Sequence, residues 1–128
     1  DTGRRVGPLE IAELLSAAVG REVSADELLA YGRRAHNVQK AFNTLHAGFT
    51  RADDLPPRRF VEDPVKTGPH AGVRIDLDEW NQLLDRYYQL HGWDPQTSWP
   101  TRRVLEELNL SDVADRLDAM GRLGESRP

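Results

Sequence analysis

The sequence predicts an all-α protein of about five helices, one of them long and central. Apolar residues recur every three or four positions, which is the spacing of one face of a helix, and residues that start and stop helices bracket these stretches. No stretch alternates apolar and polar residues as a half-buried strand does. With 128 residues, 38% of them hydrophobic, the chain suits one domain with a modest core. We therefore expect a single helical domain over residues 1–128, with its core between residues 8 and 121.

Two helices are predicted in the first 48 residues. Pro8 suits the first turn of the first helix and Gly20 ends it. Ser24 is a typical N-cap, and the second helix continues from there to about His46 before Gly48 stops it. This is the longest predicted element. Its apolar face is formed by Leu28, Tyr31, Ala35, Val38 and Phe42.

Three further helices are predicted in the second half of the chain. Asp76 caps the third helix and Gly92 ends it. A short fourth helix is predicted over residues 98–108, with Pro100 in its first turn. Ser111 caps the fifth helix. The face of that helix consists of Val113, Leu117 and Met120.

The third predicted helix carries an unusually wide apolar stripe. Its members are Leu77, Trp80, Leu84, Tyr87 and His91, flanked by Leu83, Tyr88 and Leu90. A stripe this wide requires burial on two sides, which five mostly short helices do not supply. We therefore expect this segment, taken alone, to leave part of the stripe exposed and to self-associate through it.

Between residues 49 and 75 the sequence no longer shows a regular helical pattern. Prolines and glycines interrupt any helical pattern there: Pro56, Pro57, Pro64, Gly68, Pro69 and Gly72. Irregular stretches of this length are uncommon inside a compact domain. We expect this Pro/Gly-rich excursion to pack against something else.

Composition narrows the classes of function. A net charge of −4 with both signs mixed argues against a nucleic-acid partner, which requires clustered Lys and Arg. Because the chain has no Cys, it offers no disulfide, thiolate nucleophile, iron–sulfur ligand or Cys-based zinc site. No apolar run is long enough for a membrane helix or a signal peptide. We expect a cytoplasmic protein with no membrane partner.

Other chemical motifs are weak. His46 with Asp53 and Asp54 could form a carboxylate–histidine site, but a hydrogen-bonded or surface histidine is the favoured interpretation. Residues 68–72 contain two glycines, yet Pro69 removes an amide donor that a phosphate loop needs. The last two predicted helices suggest a helix-turn-helix. Its second helix, however, carries three aspartates that would face DNA phosphates with like charge.

The densest information lies where the second helix ends. Gly48 stops the helix, Thr50 can cap a following turn, and Arg51 is available, with the arginines at 58 and 59, to pair with the adjacent aspartates. We predict a structural clamp rather than a binding site. Its five residues are Asn43, Gly48, Arg51, Asp53 and Asp54.

Several motifs in this chain together resemble the aldehyde ferredoxin oxidoreductase family. The most specific is Gly48-Phe49-Thr50-Arg51-Ala52-Asp53-Asp54, followed by Pro57, Arg59 and Phe60. Further motifs follow the family order at residues 17–20, 32–34, 41–43, 87–88, 91–94, 100–102 and 105–108. The resemblance extends from about Pro8 to Leu117. Arg33 and Ala52 depart from the usual family residues, and Thr44-Leu45-His46 is similar to the branch that includes tungsten benzoyl-CoA reductases.

The resemblance implies that the chain is the C-terminal helical segment of a much larger tungsten enzyme. Enzymes of the family hold a tungsten bis-pterin and a 4Fe-4S cluster, oxidise aldehydes to carboxylic acids and pass the electrons to ferredoxin. The pterin-binding domain and the cluster cysteines have no counterpart in this chain. We therefore expect no catalytic, cofactor-binding or metal-binding residue in it, and no activity from it alone.

The expected partners are the remaining domains of the parent enzyme, with ferredoxin as the partner of the parent. Two alternatives stay open. One is a segment of a tungsten aryl-CoA reductase subunit, and the other is a free-standing helical interaction module without a cofactor.

Overall fold

A computed structural model describes residues 6–126, so the two ends of the predicted domain, residues 1–5 and 127–128, lie outside the described residues. The described chain is helical, with six α-helices, one short 3-10 helix and two isolated β-bridges. The α-helices are α1 Pro8–Val19, α2 Ala25–Ala47, α3 Arg58–Glu62, α4 Leu77–His91, α5 Arg102–Glu107 and α6 Ser111–Ala119. The predicted all-α class and the long second helix, which has 23 residues, are confirmed.

Local signals place the ends of the helices as predicted. Pro8 occupies the first turn of α1, and Gly20 caps its end with a left-handed φ of 71°. Ser24 Oγ accepts a hydrogen bond from the Glu27 amide at 3.1 Å at the start of α2. At the start of α4 the Asp76 carboxylate accepts from the amides of two following residues. Satisfying these otherwise unpaired amides is what makes Ser and Asp good N-caps.

The described chain forms two compact units, with the boundary between Gln39 and Lys40. In the first unit, Ser16 Oγ accepts from the Val23 amide at 2.8 Å and donates to the Ala12 carbonyl at 2.7 Å. Ala12 and Val23 are the buried hydrophobic residues of this unit. Its exposed large hydrophobic residues are Val6, Leu9, Ile11, Leu14, Val19, Leu29, Tyr31 and Val38.

The second unit has a closed core. Its buried cluster consists of Ala41, Tyr88, Trp93, Val104, Leu105, Leu108, Leu110, Ala114 and Leu117. α5 and α6 pack against each other and, together with Leu108 and Leu110 in the connection between them, supply six of these nine side chains. The partly exposed Arg102 on α5 also pairs with Asp115 and Asp118 on α6.

The apolar face predicted for α2 is not the face that is buried. Tyr31, Val38 and Phe42 are exposed, whereas Asn37, Ala41 and Thr44 are almost completely buried. Small and polar side chains occupy the buried face of the helix, and the larger apolar side chains lie on its exposed face. The prediction failed here because it ranked positions by hydrophobicity alone.

Three further features differ from the sequence prediction. A short α3 lies inside the Pro/Gly-rich excursion, which raises the number of α-helices from five to six. α5 begins at Arg102 with Thr101 as its N-cap, because Pro100 is held in a bridge with Trp93 and cannot join the helix. Leu110, rather than Ser111, occupies the N-cap position of α6.

The apolar stripe on α4 is buried in part and exposed in part. Tyr88, predicted as a flank, is fully buried, while Leu83, Tyr87 and Leu90 are exposed. The expected partial exposure of the stripe is therefore observed, and self-association through it stays a prediction. No helix in the described part of the chain is long and apolar enough to cross a membrane.

Candidate functional site: the turn after helix α2

The turn that follows α2 is built by its own polar side chains. Thr50 Oγ1 accepts from the Ala52 amide at 3.3 Å, and Asp53 Oδ2 accepts from the Thr50 amide at 2.8 Å. This reciprocal pairing starts the 3-10 helix Arg51–Asp54. Asp53 is therefore used locally, to cap the turn.

Neighbouring segments then fix the turn by its backbone. The Trp80 indole donates to the Asp54 carbonyl at 3.1 Å, and the Trp99 indole donates to the Phe49 carbonyl at 2.9 Å. The Arg51 amide donates to the Thr97 carbonyl at 3.0 Å. Both ends of the turn are thus attached to residues that lie far from it in the sequence.

The Arg51 guanidinium connects the turn to α4. It donates to the Asp85 carboxylate at 2.5 Å, to the Pro95 carbonyl at 2.6 Å and to the Asn81 side-chain oxygen at 2.8 Å. The pairing expected from the sequence, with Asp53 or Asp54, is not the one formed. Arg51 instead bridges α4 and the loop after it, and its side chain is only 21% exposed.

Asp54 is the centre of a polar cluster, which we call the Asp54 cluster and define as Lys40, Asp54, Tyr88 and Ser98. The Tyr88 hydroxyl donates to Asp54 Oδ2 at 2.6 Å. Lys40 Nζ lies 3.5 Å from the same oxygen and donates to Ser98 Oγ at 2.9 Å. The Lys40 ammonium also lies 5.0 Å from the centre of the Trp93 ring, within the range of a cation–π contact.

Burial shapes the proton affinities in this cluster. It lowers the pKa of Lys40, and the nearby Asp54 carboxylate offsets part of that change. Burial also raises the pKa of the Tyr88 hydroxyl, and its hydrogen bond to Asp54 acts in the same direction. Tyr88 therefore stays a neutral donor at neutral pH. The arrangement holds charges in place and presents no activated nucleophile.

The other two clamp residues lie at the end of α2. The Asn43 carbonyl accepts from the Phe49 amide at 3.5 Å, and Gly48 has a φ of 69°, where a side chain would be strained. Arg122 donates to the carbonyls of Thr44 and Leu45 at 2.9 and 2.6 Å, and so satisfies the end of α2 from a distant segment.

Four residues of this site were not predicted as site residues from the sequence: Lys40, Tyr88, Ser98 and Arg122. Lys40 lies one turn from Asn37 and Thr44, on the face of α2 that is buried in the structure but that the apolar pattern of the sequence did not indicate. Tyr88 was visible only as part of a wide stripe. Ser98 and Arg122 act over long sequence separations and gave no local signal.

The donor groups present do not suit a tungsten or iron–sulfur site. The chain has no Cys, and the described residues include no group of three or more His, Asp or Glu that could hold a metal ion. Iron–sulfur clusters are bound mainly by thiolates. No chemical step is therefore assigned to a metal held by this segment.

A family model described as "Aldehyde ferredoxin oxidoreductase, domains 2 & 3" matches residues 2–110. The chain belongs to this family. Over 108 residues it is 37% identical to the tungsten-containing aldehyde ferredoxin oxidoreductase of Pyrococcus furiosus and 36% identical to that of Thermococcus kodakarensis. Each match covers 84% of this chain and 17% of the relative. The chain thus spans about a sixth of the length of these aldehyde ferredoxin oxidoreductases.

A solved structure supports the same relationship. The active site complex BamBC of benzoyl coenzyme A reductase, in complex with 1,5-dienoyl-CoA, matches with a TM-score of 0.72 and 27% sequence identity. The match covers 92% of this chain and 16% of that chain. The family resemblance inferred from the sequence motifs is confirmed, and the structural match is to a benzoyl-CoA reductase, the branch suggested by Thr44-Leu45-His46. The chain is a helical segment of the aldehyde ferredoxin oxidoreductase family.

Proposed function

We propose that this chain is the C-terminal helical scaffold of a cytoplasmic oxidoreductase that holds a tungsten bis-pterin and a 4Fe-4S cluster. The parent enzyme would oxidise aldehydes to carboxylic acids and transfer the electrons to ferredoxin. The similarity to tungsten-containing aldehyde ferredoxin oxidoreductases over 84% of the chain supports this assignment. The cofactor ligands would lie in the remaining domains.

The observation that carries the scaffold role is the exposed apolar surface of the first two helices. On α1, Ile11 and Leu14 share one face, and Leu14 is 69% exposed. On α2, Val38 and Phe42 belong to one stripe, and Phe42 is 59% exposed. Helices that are apolar on several sides are usually buried, so these stripes suit an interface with the metal-bearing domains.

The turn after α2 supports the same role in a different way. Two indole donors and the Arg51 guanidinium hold it against the rest of its unit. Ordering the turn in advance lowers the entropy cost of docking. We propose that the clamp residues hold this surface rigid where it meets the remaining domains and helps to form the wall of the substrate channel.

The test uses the complete enzyme that contains this chain. Ile11→Glu combined with Leu14→Glu should lower the tungsten content and the rate of aldehyde oxidation with a viologen acceptor, because charged side chains would enter an apolar interface. Met120→Glu is the matched control, since Met120 is a large exposed side chain outside the proposed interface. Equal tungsten content in both variants would remove the scaffold role. A complete gene product without tungsten would instead support a free-standing helical module.

A second candidate function follows from the structural match. The similarity to a benzoyl-CoA reductase complex favours an aryl-CoA thioester as the substrate class of the parent enzyme. Two assays on the same preparation separate the two: reduction of oxidised viologen by benzaldehyde, and oxidation of reduced viologen by benzoyl-CoA. Turnover of the thioester alone would replace the aldehyde assignment and leave the scaffold role unchanged.

A further inference from the structure

Helix α2 contains a glycine in its interior. Gly32 lies well inside the helix, which runs from Ala25 to Ala47. Glycine is among the least favourable residues at such a position, because it loses more backbone freedom on folding than any other residue. Alanine at the same position would favour the helix. The presence of glycine here therefore requires a reason other than helix formation.

The other glycines of the described residues have such a reason in their own surroundings. Six of them have a left-handed φ, which side chains rarely adopt. A Cβ added to Gly7 would lie 3.1 Å from the Glu10 carboxylate, and one added to Gly124 would lie 2.4 Å from the Trp99 carbonyl oxygen. Gly32 has neither feature. Its φ is not left-handed, and beyond its own helix backbone and its two chain neighbours no described atom lies within 4 Å of an added Cβ.

The side chains around Gly32 leave an open space on the helix surface. Leu28 and Leu29 lie one turn before it, and Ala35 and His36 lie one turn after it. We call these five residues the Gly32 notch. Leu29 is 52% exposed, and both Gly32 and Ala35 are exposed. Two small residues thus lie between larger side chains on a face that the first unit does not cover.

A glycine in such a notch permits close approach by another backbone. The distance between two packed helices depends on the size of the side chains at their contact. Glycine gives the smallest distance, which is why it is found where a second chain segment must come close. The apolar character of the two leucines suits a contact that stays buried.

The length of the related enzymes favours one source for that backbone. The chain spans 17% of the aldehyde ferredoxin oxidoreductase of Pyrococcus furiosus and 16% of the matching benzoyl-CoA reductase chain. About five sixths of an enzyme of that length therefore lies outside this chain. Those remaining domains are held next to the chain by covalent connection, so they reach this surface ahead of any separate molecule.

We propose that Gly32 is the point at which a backbone segment of the parent's remaining domains crosses α2 at close range. The inference rests on the proposed scaffold function and deepens it, since it identifies the residue that sets the distance between α2 and those domains. A Cβ at residue 32 would occupy space that belongs to the partner backbone. The helix-weakening effect of glycine is then offset by a contact that only glycine permits.

The test compares the same substitutions in the isolated chain and in the complete enzyme. In the isolated chain, Gly32→Ala should raise the melting temperature by about 2–5 °C, because alanine favours the helix and meets no neighbouring atom. In the complete enzyme the same substitution should lower the melting temperature. Gly32→Leu should also lower the tungsten content of the complete enzyme about twofold or more, because the larger side chain displaces the partner backbone.

Ala30→Leu is the matched control. Ala30 is an exposed small residue of the same helix, and two positions along a helix correspond to a rotation of about 200°. The control therefore adds the same kind of side chain on the opposite side of α2. It should leave both the melting temperature and the tungsten content of the complete enzyme close to those of the wild type.

Three results would overturn the proposal. The first is a higher melting temperature of Gly32→Ala in both forms, which would show that nothing lies against residue 32. The second is an equal loss of tungsten in Gly32→Leu and Ala30→Leu, which would show that added volume anywhere on α2 is harmful. The third is a dimer of the isolated chain in sedimentation that Gly32→Leu abolishes, which would assign the notch to a second copy.

The scaffold function fails on a different result. It is lost only if Ile11→Glu combined with Leu14→Glu leaves the tungsten content of the complete enzyme unchanged. A loss of tungsten in that variant, together with any of the three results above, would leave the scaffold role in place and remove the close approach at Gly32.

Discussion

The two units of this chain differ in how far their hydrophobic residues form a buried core. In the second unit, nine residues form a closed core in which Leu105 and Leu117 are fully buried. In the first unit, the buried hydrophobic residues are Ala12 and Val23, while larger ones such as Leu14 remain exposed. The second unit has a core of its own, and the first resembles one side of an interface.

The difference shows that apolar content alone does not predict where a core forms. α1 is the more apolar helix in sequence, yet α5 and α6 close the core because their apolar residues face each other and Tyr88. A hydrophobic side chain stabilises a fold only where a partner surface removes it from water. For α1, that surface is proposed to lie in the remaining domains.

The largest expected effect lies in the core of the second unit. Leu117→Ala should lower the free energy of unfolding by about 2–5 kcal/mol, since it removes a fully buried side chain and leaves a cavity. Chemical denaturation measures the change. A loss below about 1 kcal/mol would mean that this core is loosely packed and that the contrast between the units is false.

The second-largest loss of stability is expected from removing the Arg51 side chain. Arg51→Ala should destabilise by about 1–3 kcal/mol, because it leaves Asp85 and the Pro95 carbonyl without their charged donor. Arg86→Ala on α4, an exposed arginine, is the control in the same denaturation experiment. If the two variants unfold at the same denaturant concentration, the clamp is merely a solvated group of charges.

The hydroxyl of Tyr88 should contribute less and in a pH-dependent way. Tyr88→Phe should cost about 1–2 kcal/mol at neutral pH by removing the donor to Asp54. Because burial raises the pKa of this hydroxyl above its ordinary value of 10.0, its stabilisation is complete below pH 10 and is lost as the pH rises above that value. The variant should therefore converge on the wild type in alkaline solution.

Lys40 provides an internal check on that pH profile. Burial lowers the pKa of Lys40 from 10.5, so the folded protein loses this proton at a lower pH than the unfolded chain does. The wild type and Tyr88→Phe should therefore both gain stability as the pH approaches 10.5. Subtracting the free energy of unfolding of the variant from that of the wild type at each pH isolates the contribution of the Tyr88 hydroxyl. A difference that stays constant from pH 8 to pH 12 would contradict the assigned role of the hydroxyl.

The smallest expected effect is that of Leu14→Ala, and it tests most directly whether α1 lies at an interface. Leu14→Ala should change the stability of the isolated chain by less than about 0.5 kcal/mol, as expected for an exposed site. In the complete enzyme the same substitution should lower the melting temperature measured by calorimetry, because the side chain would be buried there. Equal small effects in both forms would place α1 outside any interface.

The sequence by itself determined the family, the chemistry of the turn after α2 and the long helices α1, α2 and α4. Ser24, Asp76 and Gly20 act through neighbouring backbone groups, and the Thr50–Asp53 pair closes within four residues, so local rules suffice for them. The motif around Arg51 helped to identify the family because all of its residues lie within one short segment of the sequence.

Only the tertiary structure decided which partners these residues meet and which face of α2 is buried. Arg51 pairs with Asp85 instead of the adjacent aspartates, and Arg122 reaches Thr44 across 78 positions of sequence. The Asp53 carboxylate already caps the turn by accepting from the Thr50 amide. Tyr88 and Lys40 contact Asp54 from two other helices. Electrostatic and packing energies depend on distance in space, and sequence separation does not reveal that distance.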